Sequence, residues 1–336
     1  MKSYVLKEAP GFESLDLVEK ELGPIGPHEV RVRVRAISLN YRDLMVAKGA
    51  YGTKGFQPVV PASDGAGEVV EVGSAVTRWK AGDKVAGIFM QTWLAGPPAA
   101  SYAASALGGA IDGMMAEEVV LHEDGLVAIP AGYSFEEAAT LPCAAVTAWN
   151  AFYGSGALKA GDTVLLQGTG GVSLFALQLA KAAGARVMIT SSSDEKLVRA
   201  KELGADETIN YRTKENWEVE AFRLTDSRGV DQVVEVGGGG TLNRSLKAVR
   251  YGGTVSVIGV LSGTSGEVAT PLILGKAIRV QGIYVGSRTM FEDMNRAIEA
   301  NGIRPVIDRV FEFSEAKAAY EYMESAQHFG KIVIRV

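Results

Sequence analysis

The sequence predicts an α/β protein in which a doubly wound parallel sheet stands beside a smaller β-barrel domain. Three observations predict it: short Val-rich strands fill the first third, strands alternate with helices after residue 134, and a lone strand closes the chain. At 336 residues the chain is long for one hydrophobic core and suits two. Hydrophobic residues make up 47% and charged residues 22%, a globular balance without disordered bias.

In the first third, Val30, Val32 and Val34 alternate with Arg31, Arg33 and Arg35, the period of a half-buried strand. Acidic residues flank the arginines, so they read as a solvated strand face and not as a binding patch. Residues 65–76 (GAGEVVEVGSAV) form a second Val-rich strand bounded by glycines, and a turn follows over 79–87. Residues 91–113 carry small residues, two prolines and Trp93, and read as a long ordered loop over a site. Ser134 and Glu137 are spaced as a capping box before an Ala-rich helix. Strands over 163–167, 186–190, 230–236 and 253–260 then alternate with helices over 171–183, 194–203 and 241–250. Near-continuous apolar strands between amphipathic helices indicate a parallel sheet covered on both faces. Helices around 291–300 and 314–325 precede the terminal strand KIVIRV.

Bulk properties narrow the function. A net charge of −5 supplies no basic field for nucleic acid or an anionic membrane, which leaves a small-molecule partner. Cys143 is the only cysteine, so a disulfide framework and a multi-cysteine zinc lobe are both excluded. The opening residues lack the apolar stretch of a signal peptide, and no run of about 18 apolar residues occurs. A cytoplasmic protein is expected.

The sharpest motif is Gly168-Thr-Gly170-Gly171-Val172-Ser173, directly after one strand and opening a helix. Glycine at 168 permits a tight turn, and glycine at 170 lets the backbone approach a pyrophosphate seated on the helix N-terminus. Ser173 replaces the third glycine of the dinucleotide fingerprint with another small residue. With a βαβ continuation around it, the motif points to a Rossmann dinucleotide site. The end of the second strand selects the dinucleotide, since a carboxylate there binds the ribose hydroxyls of NAD. That position falls in Thr190-Ser191-Ser192-Ser193, and no acid stands there. Hydroxyls, a helix N-terminus, Lys196 and Arg212 suit a 2′-phosphate, which favours NADPH over NADH.

These residues resemble the medium-chain dehydrogenase/reductase superfamily over essentially the whole chain. The likeness is carried by SLNYRDLMVAKGAY (38–51), VVPASDGAGEVVEVG (59–73), AATLPCAAVTAWNAF (138–152), the glycine loop, INYR (209–212) and the ending HFGKIVI. It implies a GroES-like catalytic β-barrel domain over 1–143 and 287–336, and a Rossmann domain over 144–286. The Asn-Tyr-Arg-Asp segment is similar to zinc-free quinone oxidoreductases, whereas the short glycine loop has the length found in alcohol dehydrogenases. The resemblance further implies that Lys196 and Tyr211 hold the 2′-phosphate beside Ser191 and Ser192. Val236, Gly237, Gly259, Val260 and Val285 would line the cofactor site. Thr147 would meet the carboxamide or ribose, and Lys331 would reach the cofactor from the tail. A homodimer is implied through the edge strand AIRVQGIYV, residues 277–285.

Where zinc enzymes of the family carry their ligands, this chain has Asn40-Tyr41, Ala62-Ser63-Asp64 and Cys143. Catalytic zinc takes three protein ligands, so no zinc is expected. Asn40 and Tyr51, with Tyr41 as a further candidate, are then the donors for negative charge arriving on a substrate oxygen, and Asp43 and Asp64 orient them. Three functions compete. The first is NADPH-dependent reduction of a quinone or an α,β-unsaturated carbonyl compound, and the second is a metal-independent alcohol dehydrogenase or aldehyde reductase. The third is a non-catalytic NADPH-binding or RNA-binding protein.

Overall fold

The computed structural model describes residues 1–7, 10–51 and 58–336. They form two compact units, Met1–Val146 with Gly286–Val336, and Thr147–Val285.

The first unit is built on the long strand Glu29–Leu39, which pairs antiparallel with Asp64–Val72, Lys331–Arg335 and Glu118–His122. Irregular register between Arg31 and Val32, and between Val34 and Ala36, bends this strand as bulges do. Lys84–Gly87, Leu126–Ala128 and Ile307–Glu312 complete the sheet. Val30, Val32 and Val34 are buried, while Arg31 and Arg33 face outward onto Glu71 and Glu118 at 2.8 and 3.4 Å. The arginines therefore form a paired, solvated face. The stretch 91–113 is ordered around Trp93, which is buried, donates from Nε1 to Gly96 O, and stacks on Tyr102. Ser134 and Glu137 do form a reciprocal capping box: Ser134 N donates to Glu137 Oε2, and Glu137 N to Ser134 Oγ.

In the second unit six parallel strands lie in the order Glu207–Asn210, Arg186–Ser191, Thr163–Gln167, Val230–Glu235, Val249–Val257, Arg279–Gly282. The first strand of this unit in chain order, Thr163–Gln167, lies inside the sheet, and the winding reverses between it and Val230–Glu235. That reversal opens a crevice at the carboxyl ends of the two strands, where doubly wound sheets bind ligands. Leu165, Met188, Ile209, Val233 and Val255 pack in the core.

Several elements end short of the bounds the sequence predicts: the strands expected over 65–76 and 253–260 stop at Val72 and Val257. The helix expected over 241–250 runs only over Leu242–Ala248, because Val249 turns extended and pairs with Val230, and both are fully buried. The expected strand 277–285 pairs only over Arg279–Gly282, at one edge of the sheet. Strand Glu207–Asn210 and helices Trp217–Arg223 and Thr270–Gly275 go unread in the sequence, being short and without a clean period. Among the described residues no helix is long and apolar enough to cross a membrane.

Candidate functional site

The glycine motif does what its residue types allow. Gly168 has φ of 72°, which strains any side chain, and Gly170 caps helix Gly171–Ala182. A Cβ added at either glycine would meet no atom within 4 Å, so the backbone borders open space. The amides of Gly171 and Val172 lie in the helix's unpaired first turn and can bind a phosphate there. Ser173 is buried and donates from Oγ to Gln167 O at 2.6 Å, so it clips the helix to the preceding strand. Beside this turn lies a cavity of about 440 Å³ lined by Gly168, Thr190, Tyr211, Val236, Gly237 and Arg244, among others.

Strand Arg186–Ser191 ends without a carboxylate of its own, and the acid that lines the cavity beside Thr190 and Tyr211 is Glu215, from a later loop. Ser191 Oγ accepts from Ser193 N, and Ser193 Oγ accepts from Lys196 N, capping helix Asp194–Glu202. Asp194, the nearest acid, is held by Asn210 Nδ2 at 2.7 Å. Tyr211 N donates to Ser191 O, and the exposed Tyr211 lines the cavity together with Thr190.

A buried polar plug fixes the turn after Val230–Glu235. One oxygen of Glu235 accepts from Gly237 N, Gly238 N and Thr241 Oγ1, and the other from Gln167 Nε2 and Ser245 Oγ. Gln167 Oε1 in turn accepts from Val236 N and Gly237 N. Gly259 closes against this turn so tightly that a Cβ would lie 2.4 Å from Val236 O, and Val260 beside it is exposed. Gln167, Glu235 and Arg244 escaped the sequence reading. An acid closing a Val-rich strand just before Val236 and four glycines was the signal for Glu235. Thr147 is buried, and Val285, a β-branched residue with φ of 53°, offers its carbonyl to Asn150 Nδ2 at 2.7 Å. Positive φ at valine is rare, and such strain clusters at ligand sites.

The first unit holds a second constellation. Asn40 ends strand Glu29–Leu39 and starts helix Tyr41–Ala47, whose Asp43 returns Oδ2 to cap Asn40 N at 2.9 Å. Ala62 adopts φ of 67° just before Ser63 and Asp64, which turns both inward. Ser63 Oγ donates to Asp64 Oδ1 at 2.7 Å, and Cys143 N donates to Asp64 Oδ2 at 3.0 Å. The antiparallel pairing of Ile332 with Leu39 sets Lys331 abreast of Asn40. Lys331 Nζ donates to Asn40 Oδ1 at 2.6 Å and to Leu39 O at 2.7 Å.

Lys331 was expected to be a cofactor ligand. Its amine is buried and makes hydrogen bonds to Leu39 and Asn40, because an ammonium taken out of water must find acceptors. Arg42 is also buried, donates to Leu107 O at 2.6 Å and to Asp43, and lies over the rings of Tyr51 and Phe89. Two buried carboxylates thus face two buried cations. Arg42 lies over the ring of Tyr51, and Tyr41 is exposed.

Burial raises the Asp64 carboxyl to about 6, against the pull of Lys331. Burial also raises Asp43 and lowers Lys331. The Cys143 thiol is pushed up, first by burial and then by Asp64, so it stays protonated and is no nucleophile. Among the described residues no group of three or more His, Cys, Asp or Glu is placed to hold a metal ion.

Residues 26–131 match the alcohol dehydrogenase GroES-like domain family, and residues 171–300 match the zinc-binding dehydrogenase family. A zinc-type alcohol dehydrogenase-like protein of Schizosaccharomyces pombe is 46% identical over 100% of this chain and 99% of its own length. A quinone oxidoreductase of Pseudomonas aeruginosa is 34% identical, covering 96% of each chain. A solved structure from Sinorhizobium meliloti, described as an alcohol dehydrogenase, superposes with a TM-score of 0.93 at 44% identity, over 100% of this chain and 98% of that one. With this likeness running the full length, the chain belongs to the medium-chain dehydrogenase/reductase superfamily and is a nicotinamide-dependent oxidoreductase.

Proposed function

We propose that the protein is a metal-independent reductase that uses NADPH to reduce a quinone or an α,β-unsaturated carbonyl compound. The observation that carries this reading is the Lys331 ammonium, 2.6 Å from Asn40 at the place where zinc relatives have a ligand. A fixed cation there opposes a divalent ion, and catalytic zinc takes three protein ligands, of which this chain offers Cys143 and the Asp64 carboxylate. The nicotinamide, when bound, supplies the hydride. Hydride adds to the β-carbon of an enone, the π electrons move to the carbonyl oxygen, and solvent protonates the resulting enolate. Asn40 is the amide that donates to that oxygen.

The test is an acceptor panel run with and without a chelator. NADPH oxidation by p-benzoquinone or an enone that survives chelation supports the reading. Stoichiometric zinc, or turnover confined to alcohols and aldehydes, overturns it in favour of a dehydrogenase.

NADPH is favoured by the hydroxyl-lined, acid-free end of strand Arg186–Ser191, with Tyr211 alongside. Changing Ser191 to Asp places a carboxylate where a 2′-phosphate would sit. The ratio of kcat/KM for NADPH to that for NADH is expected to fall on the order of tenfold or more. An unchanged ratio would remove the basis for the cofactor assignment.

A further inference from the structure

We infer that Lys331 is a positioning residue that fixes which way the Asn40 side-chain amide faces, and so makes Asn40 a donor to the substrate oxygen. This rests on the reductase reading above.

The two ends of an asparagine amide are nearly equal in shape and opposite in chemistry, so its neighbours decide the orientation. A lysine ammonium has three donors and no acceptor. The end of Asn40 that lies 2.6 Å from Lys331 Nζ must therefore be the oxygen. Lys331 is itself anchored on Leu39 O at 2.7 Å, the carbonyl just before Asn40, so amine and amide hold a fixed relation.

The opposite end of the amide is then the NH2 group. Its partner is Ser63 Oγ at the long distance of 3.4 Å, on the side of the Asp64 carboxyl. Ser63 passes its own hydrogen to Asp64 Oδ1 at 2.7 Å. The bonds thus run one way, from Lys331 to Asn40 to Ser63 to Asp64, because the chain begins at a group that can only donate and ends at a carboxylate. The Asp64 carboxyl also accepts from this NH2. Ser63 and Asp64 are joined to each other, so one N–H of the amide can serve both. The second is the one that meets a ligand, and Asn40 is only half-buried.

Without Lys331 the amide is free to turn over. Its oxygen would then face Ser63, whose hydroxyl can swing to donate to it, and a carbonyl would be offered where charge develops. A repulsive acceptor would replace a donor at the reacting oxygen. Lys331 therefore acts through Asn40 and not by touching cofactor.

The experiment compares Lys331→Met, Lys331→Arg and Asn40→Asp with the wild-type protein. Lys331→Met is expected to lower kcat on the order of tenfold, with the NADPH Kd from fluorescence titration unchanged. Lys331→Arg restores a donor and should bring kcat back towards wild type. Asn40→Asp keeps an acceptor for Lys331 and removes the NH2. It is expected to be at least as slow as Lys331→Met while melting like wild type.

A raised NADPH Kd in Lys331→Met with kcat intact would overturn the inference and assign Lys331 to the cofactor. Wild-type rates in Asn40→Asp would overturn it too. If Lys331→Met does not fold, the other two variants still decide. If the wild-type protein reduces no quinone or enone, the functional reading fails on its own. The inference is then read from the Asn40 side-chain amide NMR signals, identified by their loss in Asn40→Asp. They should move in Lys331→Met and return in Lys331→Arg, and signals that stay put in Lys331→Met would sink it.

Discussion

Replacing Glu235 with alanine is expected to lower the unfolding free energy by about 3–5 kcal/mol, seen as a drop in the urea midpoint. Five donors converge on this fully buried carboxylate: Gly237 N, Gly238 N, Thr241 Oγ1, Gln167 Nε2 and Ser245 Oγ. Each buried donor left unmatched costs about 1–3 kcal/mol; the two hydroxyls can turn away and Gly237 N keeps Gln167 Oε1, while Gly238 N cannot move. The relief of no longer burying a charge returns part of the loss, which keeps the total below the simple sum. Glu235→Gln should fall between wild type and alanine. Its amide nitrogen would meet the Gln167 amide donor to donor, and Gln167 cannot flip because its Oε1 holds Val236 N and Gly237 N. Both variants loosen the turn that carries Val236 and Gly237, so weaker NADPH binding should accompany the lower midpoint. An alanine variant that unfolds with wild type would show that the plug does not hold the turn.

The contrast between Glu235 and Gly168 shows where sequence reading reaches and where it stops. Gly168 is legible because its positive φ has a residue type that signals it, and the strand before and helix after are local. The alternating valines of strand Glu29–Leu39 are legible for the same reason, since burial on one face imposes period two. Glu235 is one acid in an apolar run, and only the sheet order shows that Gln167 and Ser245 converge on it. The first unit's cluster is harder still, because Asn40, Ser63, Asp64, Cys143 and Lys331 come from four distant stretches of chain. Resemblance named Asn40, Asp43, Asp64 and Lys331, but not the hydrogen bond that joins Asn40 to Lys331. Its role depends on strand register, in which Ile332 lies against Leu39, and register is written across two segments at once. The shortened helix Leu242–Ala248 failed for a related reason, since the pairing of Val249 with Val230 overrides local helix preference.

Asp64→Asn should remove a pH dependence that the wild-type protein carries between about pH 4 and pH 6. An unfolded aspartate titrates near 3.9, whereas burial lifts Asp64 to about 6. Below about pH 4 the carboxyl is neutral in both states and takes nothing from stability. As pH rises the unfolded chain ionises first and is favoured, and the loss is complete once pH passes the folded value. A gap of about two units corresponds to about 3 kcal/mol at neutral pH, with stability falling as pH rises. In Asp64→Asn the amide oxygen can still accept from Cys143 N, and no charge is buried there. The variant should therefore match wild type near pH 4 and exceed it by up to about 3 kcal/mol near pH 8. Lys331 trims that gain, because burial already lowers its amine and the variant removes a neighbouring negative charge. Asp43, also raised by burial, adds a slope of the same sign to both proteins, and because its charge helps raise Asp64, part of the difference belongs to the pair. Urea titrations of the two proteins across this range measure the gap, and parallel curves would contradict it. Activity should move the opposite way. Asp64 is the acceptor at the end of the bonds that run from Lys331 through Asn40 and Ser63, and an amide NH2 there can oppose the Ser63 hydroxyl. A protein that gains stability and loses turnover from one isosteric change carries Asp64 as an ionised group at the expense of its own fold.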